Sequence, residues 1–130
     1  MQKLPDEDFP RKMAAWKDEV ASGRDLEELL PEVFALVREA SRRARSHRQF
    51  DVQLVAGMIL DEGKIAEEAT GEGKTIACYP AIYMAALQGL KAHVVTTNDY
   101  LVQRDAEIGP RGRLPSTGLG RVVGAHHCLH

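Results

Sequence analysis

The chain has 130 residues, 44% of them hydrophobic, which fits one small globular domain and is short for an enzyme that hydrolyses nucleotides. A formal net charge of −2 argues against a global electrostatic field that would hold nucleic acid or an anionic membrane. Two isolated cysteines, a polar N-terminus and no apolar run of about 18 residues exclude a disulfide framework, a signal peptide and a spanning helix, so the cytoplasm is the expected compartment.

The first 48 residues are predicted to form a helical segment. Apolar residues recur at helical spacing over residues 6–21, and Ser22-Gly23 is expected to end that helix. Asp25 and Glu28 have the spacing of a capping box, and Pro31 is expected to begin a new helix, where its missing N–H costs nothing. The predicted core positions of these helices are Phe9, Met13, Trp16, Val20, Val33, Phe34, Leu36, Val37 and Ala40.

Basic residues crowd the end of this segment. They could contact phosphate or nucleic acid, but cations in the last turns of a helix also complement its dipole. A solvated helix face is therefore the favoured interpretation, and we assign the run no binding role. Its members are Arg38, Arg42, Arg43, Arg45, His47 and Arg48.

A second apolar run, Val55 to Leu60, ends in the acid pair Asp61-Glu62. Such a pair resembles the Walker B carboxylates of nucleotide hydrolases, but Gly63 directly after it favours a turn between a helix and the next strand. We therefore interpret the acid pair as a helix end. Residues 64–69 are then predicted to be the strand that leads into the following glycine-rich loop.

That loop, Ala69 to Thr75, carries the most specific pattern in the chain. Gly71 and Gly73 can take positive φ, so successive N–H groups can turn inward around an anion. Lys74 supplies a charge for the β and γ phosphates, and the Thr75 hydroxyl is placed to hold Mg²⁺. The competing interpretation is a glycine-rich turn that only caps a helix.

Position 68 departs from the plain phosphate-loop pattern, which has glycine where this chain has Glu68. A carboxylate about 5 Å from a phosphate would cost on the order of 3 kcal/mol if it pointed inward. It would be harmless if it pointed to solvent. The helicase-like version of the loop lacks the first glycine and accommodates residues 70–75.

The residues after the loop predict one helix and a second strand. Residues 76–88 have a helical pattern, with a kink at Pro80, which cannot bond the Ile76 carbonyl, and with Gly89 as the C-terminal cap. Residues 93–96 read as a buried strand, and residues 97–99 as the cap of a helix through Glu107. This order predicts a βαβα unit with a right-handed crossover.

The predicted fold class is therefore α/β: a partial, truncated P-loop sheet of parallel strands, starting at residue 49 and preceded by the helical segment. Residues 108–130 are rich in glycine, proline and arginine and are expected to be irregular or disordered, with a frameshift or gene truncation as one origin. The ending at residues 126–130 contains three histidines and a cysteine. Without a rigid set of four ligands, we expect no functional metal site there.

Several linked blocks resemble the SecA preprotein translocase ATPases in order and spacing. The resemblance covers roughly residues 5–107, and so many linked blocks make chance agreement very unlikely. The blocks are Phe50-Asp51-Val52-Gln53-Leu54, Gly57-Met58, Gly63-Lys64-Ile65-Ala66-Glu67, Thr70-Gly71-Glu72-Gly73-Lys74-Thr75, Val94-Val95-Thr96-Thr97-Asn98-Asp99-Tyr100-Leu101 and Arg104-Asp105-Ala106-Glu107.

The resemblance implies a helicase-like motor that uses ATP and Mg²⁺ to push unfolded preproteins through a membrane channel. It implies a location at the inner face of the cell membrane, contact with anionic lipid, no nucleic acid partner, and a homodimer as one option. Gln53 matches the family's adenine-reading glutamine, and the metal ligand is Thr75. The implied nucleotide-binding residues are Gln53, Gly71, Glu72, Gly73, Lys74 and Thr75.

Glu68 stands where the family usually has methionine, and the resemblance fades after Glu107. Hydrolysis also needs a carboxylate that positions water, and it needs cations that stabilise the transition state. This chain supplies only one half of such a site. The fragment alone is therefore expected to have no catalytic residues and no useful turnover. Two alternatives remain at this point: a fragment of a nucleic-acid helicase, and a non-catalytic remnant or interaction module.

Overall fold

The helices at the start of the chain follow the hydrophobic spacing of the sequence. The computed structural model describes residues 1–46, 48–69, 71, 73–95 and 100. Within these residues it contains α1 (Asp8–Ala21), α2 (Leu26–Arg45), α3 (Asp51–Asp61), α4 (Lys74–Ala77) and α5 (Tyr79–Leu87).

The predicted apolar stripes of α1 and α2 form the core. In α1, Phe9, Met13 and Trp16 are buried, and α1 ends directly before Ser22, as predicted. The five predicted core positions of α2, from Val33 to Ala40, are also buried. These side chains join one cluster with apolar residues of α5, so the core draws on residues both before and after position 49.

The start of α2 differs from the prediction at Pro31. Asp25 is the N-cap, and its Oδ1 accepts a hydrogen bond from the Glu27 N–H at 3.0 Å. The helix therefore begins at Leu26, and Pro31 lies inside it, so the prediction that Pro31 begins a new helix is wrong. A capped first turn makes the helix favourable from Leu26 onward, at the cost of one missing bond to the Glu27 carbonyl.

The basic run at the end of α2 is more than a solvated face, because two of its arginines hold neighbouring segments. The Arg43 guanidinium donates to the Leu4 carbonyl at 2.6 Å and the Gln2 carbonyl at 2.9 Å, and it lies over the Phe9 ring. Arg38 Nε donates to the Gln49 carbonyl at 2.9 Å. These bonds fasten the N-terminal residues and the link to α3 onto α2; His47 lies outside the described residues.

Helix α5 packs against each of the other four helices. Its close contact with α3 and α4 depends on Gly57, because a Cβ at that position would lie 2.9 Å from the Ala77 carbonyl oxygen and 3.5 Å from Pro80. A side chain there would push α3 away from the α4–α5 junction. The glycine thus sets the spacing between α3 and the end of the phosphate loop helix.

The predicted α/β fold class is wrong for the part of the chain that the structure describes, which contains helices and no strand. Residues 64–69, the first predicted strand, and residues 93–95 of the second, predicted over 93–96, have no regular secondary structure, and Ile65 is 94% exposed. A strand is stable only when a neighbour takes its backbone hydrogen bonds, and neither segment has such a neighbour among the described residues. The parallel sheet and its right-handed crossover are therefore absent from this region.

The helix predicted over residues 76–88 is two helices, α4 and α5, with Cys78 between them. Pro80 lies in the first turn of α5, so the predicted loss of a bond to the Ile76 carbonyl is confirmed, and its effect is a break. Gln49 Nε2 donates to that carbonyl at 2.6 Å. A side chain from the α2–α3 link thus replaces the missing backbone donor.

The end of α5 matches the prediction. Gly89 has φ +75°, its N–H bonds the Ala86 carbonyl, and the Leu90 N–H bonds the Ala85 carbonyl, each at 3.0 Å. This pair of bonds is the Schellman arrangement that favours glycine after a helix. Residues 96–99 and 101–130 lie outside the described residues, and with them the predicted helix through Glu107, the irregular tail and the His/Cys ending.

Candidate nucleotide site

The two glycines of the predicted phosphate loop have the backbone conformation that the sequence predicts. Gly71 has φ +91°, and Gly73, the N-cap of α4, has φ +84°. A Cβ at Gly71 would meet nothing within 4 Å, so only its φ requires glycine. Gly73 is required twice, because a Cβ there would also lie 2.4 Å from Gln53 Nε2.

Lys74, the first residue of α4, is exposed, and its ammonium folds back onto its own loop. Its Nζ donates to the Ala69 carbonyl at 2.9 Å. This bond joins the two ends of the loop. A carbonyl is a neutral partner for an ammonium, and an anionic oxygen in the same place would bind it more strongly.

Thr75 follows at the second position of α4 and is partly buried. Its carbonyl accepts a hydrogen bond from the Cys78 thiol at 3.0 Å, within the turn that ends α4. Thr75 is thus fixed by its neighbours in a helix of only four residues. Glu72, the remaining predicted loop residue, and Thr70 lie outside the described residues.

Gln53, predicted to read adenine, lies against the loop. Its side chain is buried, its Oε1 accepts a hydrogen bond from the Phe50 N–H at 3.0 Å, and its Nε2 lies beside Gly73. The amide therefore connects the first turn of α3 to the N-cap of α4. The structure places Gln53 beside Gly73, which directly precedes Lys74 and Thr75, and the nucleotide-binding roles of these residues stay predictions.

Glu68 lies just before the loop and does not point fully to solvent. Its Oε1 is buried and has no hydrogen-bond partner among the described residues. The harmless arrangement considered from the sequence, with Glu68 turned to water, is therefore not the one observed.

The acid pair at Asp61-Glu62 is a helix end, as the sequence interpretation predicts. Asp61 closes α3, Glu62 is its C-cap, and Gly63 follows with φ +71°. Burial, and second the neighbouring Glu62 carboxylate, raise the pKa of Asp61. No group of three or more metal-binding side chains occurs in the described parts of the chain.

The sequence analysis missed two residues that support the loop, Gln49 and Arg38. Gln49 is fully buried and bonds the Ile76 carbonyl, and Arg38 bonds the Gln49 carbonyl. The available signal was Pro80, which removes the usual helical donor to the Ile76 carbonyl of α4. Pro80 indicates that the Ile76 carbonyl has room for another donor, but it does not identify the residue that supplies it.

Across the residues that the structure describes, none of the helices is both long enough and apolar enough to cross a membrane. Helix α2 is long enough, with 20 residues, but acidic and basic residues occur throughout it.

These elements define a helical scaffold that carries a phosphate-loop motif, and comparison with known proteins identifies its class. The family model of the SecA DEAD-like domain matches residues 1–112. The chain therefore belongs to the SecA family.

Particular relatives agree with this assignment. A protein named protein translocase subunit SecA from Nitratidesulfovibrio vulgaris is 57% identical over 106 residues, which are 82% of this chain and 13% of that protein. The SecA subunit of Carboxydothermus hydrogenoformans is 56% identical over 124 residues, 95% of this chain and 14% of that protein. The SecA subunit of Syntrophomonas wolfei is 51% identical over 123 residues, 94% and 15% of the two chains. The chain thus spans about one seventh of the length of these relatives.

Proposed function

We propose that this chain forms part of the ATP site of a protein-translocating motor. The observation that carries the proposal is the loop itself: Lys74 follows two positive-φ glycines, and among the described residues its ammonium bonds the Ala69 carbonyl, which a phosphate oxygen can replace. In the proposed site, the loop from Gly71 to Thr75, including Glu72, surrounds the phosphates. Gln53 contacts the adenine edge through one amide donor and one acceptor.

Magnesium fits the same loop through the Thr75 hydroxyl, which lies next to the phosphate-binding lysine. Bound Mg-ATP would supply a phosphoanhydride whose γ-phosphoryl charge the metal and Lys74 neutralise together. The residues of this chain orient the nucleotide and hold its charge. The buried oxygen of Glu68 opposes this by adding negative charge near the loop, so we expect weak affinity.

The activity of the whole motor is proposed from the relatives' names. As part of a SecA translocase, the chain would couple ATP hydrolysis to the export of unfolded preproteins through a membrane channel. It would work from the cytoplasm at the inner membrane face, near anionic lipid, with a homodimer as one assembly. The SecA family membership supports this proposal over the nucleic-acid helicase alternative.

The isolated chain is expected to bind Mg-ATP weakly and to lack useful turnover. Hydrolysis requires a carboxylate to orient water and cations to stabilise the transition state. The acid pair Asp61-Glu62 is a helix end and is not assigned that role. A steady rate of hydrolysis that Lys74→Ala abolishes would contradict this expectation.

The binding proposal is tested by thermal unfolding with and without millimolar Mg-ATP. Ligand at 100 times its dissociation constant should stabilise the wild-type chain by about 2.7 kcal/mol, and Lys74→Ala should lose most of that gain. Lys91→Ala is a matched control, because Lys91 is an exposed lysine outside the loop.

Three results separate the alternatives. A shift in wild type and Lys91→Ala, but not in Lys74→Ala, supports the nucleotide site. A clear unfolding transition with no shift in any variant supports the non-catalytic remnant. RNA binding that weakens steeply with salt would support the helicase alternative instead.

A further inference from the structure

The break between α4 and α5 gives one backbone carbonyl a side-chain donor from a distant part of the chain. Pro80 has no N–H, so the Ile76 carbonyl lacks the usual helical donor four residues ahead, and the backbone donor that remains is the Cys78 N–H, two residues ahead. Gln49 Nε2 donates to this carbonyl at 2.6 Å from a fully buried position. Ile76 directly follows Thr75, so the bond lies one residue from the proposed magnesium ligand.

Gln49 is itself held from the other side. Arg38 Nε on α2 donates to the Gln49 carbonyl at 2.9 Å, and the Arg38 guanidinium pairs with Asp51 Oδ1 at 2.6 Å. Helix α2 therefore fixes the link that carries Gln49, and Gln49 fixes the last turn of α4. A continuous set of bonds runs from α2 to the phosphate-loop helix.

Among the described residues, the Gln49 amide forms a hydrogen bond through its donor, Nε2, and the partner is the Ile76 carbonyl. Its Oε1 is buried without a hydrogen-bond partner among the described residues. An unpaired buried acceptor costs stability compared with an apolar side chain of the same size. Core packing alone therefore does not account for an amide at this position, whereas a donor to Ile76 does.

We propose that Gln49 is a positioning residue that holds α4, and with it Lys74 and Thr75, in place for nucleotide. A helix of four residues cannot maintain its own position, because a single turn is unstable without outside contacts. The expected effect of Gln49 on nucleotide binding rests on the proposed function. The hold on α4 can be tested without nucleotide.

The first test measures how fast an alkylating reagent modifies Cys78, the residue between α4 and α5, in a Cys128→Ser background. Cys78 is partly buried, and its thiol bonds the Thr75 carbonyl at 3.0 Å, so loosening α4 should expose it. Gln49→Met keeps the side-chain length and removes the donor. We expect alkylation at least about fivefold faster, since local opening becomes easier when the carbonyl loses its side-chain donor.

Two further variants make the result specific. Ser41→Ala is the matched control, because Ser41 is also fully buried and its Oγ has no partner in the described structure; its alkylation rate should equal that of the background. Pro80→Ala, added to Gln49→Met, supplies a backbone N–H for Ile76 and should return the rate toward the background. If Gln49→Met does not fold alone, recovery of a folded chain in the double variant tests the same bond.

The second test measures Mg-ATP affinity with a fluorescent nucleotide, well below the unfolding temperature of each variant. Gln49→Met should bind about tenfold more weakly than the background, the usual size of effect for a residue that orients a ligand-binding group. Ser41→Ala should bind normally.

An unchanged alkylation rate in Gln49→Met, or a double variant that is not rescued, overturns the proposal that Gln49 holds α4 in place. This conclusion does not depend on whether nucleotide binds. Faster alkylation with unchanged Mg-ATP affinity overturns the role in nucleotide binding. If the background chain itself does not bind Mg-ATP while alkylation responds as expected, the proposed function fails and the hold of Gln49 on α4 stands.

Discussion

The α1–α2 pair and the segment from residue 62 to residue 95 differ in where their stabilising contacts come from. In α1 and α2, the side-chain cap and the arginine contacts come from within the first 51 residues, and the buried stripes share one core with α5. In the later segment, residues 64–69 and 90–95 have no regular structure, and the four-residue α4 depends on Gln49. A helix satisfies its backbone within itself, whereas a strand or a single helical turn requires partners elsewhere.

The largest test of this contrast compares Phe9 with Ile65. Phe9 is fully buried and contacts Arg43, whereas Ile65 is almost fully exposed. Phe9→Ala should lower the free energy of unfolding by about 3–5 kcal/mol, because it removes a large core side chain and leaves a cavity. Ile65→Ala should change it by less than about 0.5 kcal/mol. Urea unfolding of both variants measures the difference, and similar costs would contradict the observed division between core and exposed segment.

A smaller change in stability is expected at Glu39, the buried carboxylate of α2. Hydrogen bonding by Arg42, and then by Arg43, lowers the pKa of Glu39 from 4.5 to about 2, although burial acts in the opposite direction. A lowered folded-state pKa stabilises the fold above pH 4.5, and this contribution is lost as the pH falls toward 2.

Between pH 5.5 and pH 2.5, the wild type should therefore lose on the order of 2 kcal/mol more stability than Glu39→Gln, after allowing for solvent around the arginines. Urea unfolding across this pH range compares the two chains. Parallel pH curves for wild type and Glu39→Gln would show that Glu39 stays neutral or unpaired in the fold.

The smallest expected effect on stability is at the N-caps of α1 and α2. Asp25 caps α2 through its side chain, whereas Glu7, the N-cap of α1, makes no side-chain cap bond. Asp25→Ala should cost about 1 kcal/mol and Glu7→Ala close to zero. Thermal unfolding of the two variants checks this, and an equal loss would mean that charge near the helix dipole matters more than the cap bond.

The sequence was sufficient for the parts of the fold that depend on neighbouring residues. Periodicity predicted the core faces of α1 and α2, and Asp25 and Gly89 predicted helix ends. Pro31 was misread because a proline can start a helix or lie within one, and the choice depended on the cap at Asp25. The predicted strands were wrong because apolar, β-branched residues indicate a strand only if a neighbouring strand exists.

The candidate site shows the same division. The positive φ of Gly71 and Gly73 and the presence of a helix after the loop followed from the local motif, although that helix begins at Lys74 and not at Ile76 as predicted. The bond from Lys74 to Ala69, the unpaired oxygen of Glu68 and the contact from Gln49 to Ile76 did not. Each of these depends on how the loop is oriented against other elements, which spacing along the chain does not encode.

The central position of α5 also determines which motions the chain can make separately. Because α5 touches every other helix, its backbone amides become exposed to solvent only when the whole helical core opens. Amides of residues 64–69, by contrast, lie outside any helix. Hydrogen–deuterium exchange should therefore be slowest in α5 and fast just before the phosphate loop, so that the loop can rearrange on a much shorter timescale than the scaffold unfolds.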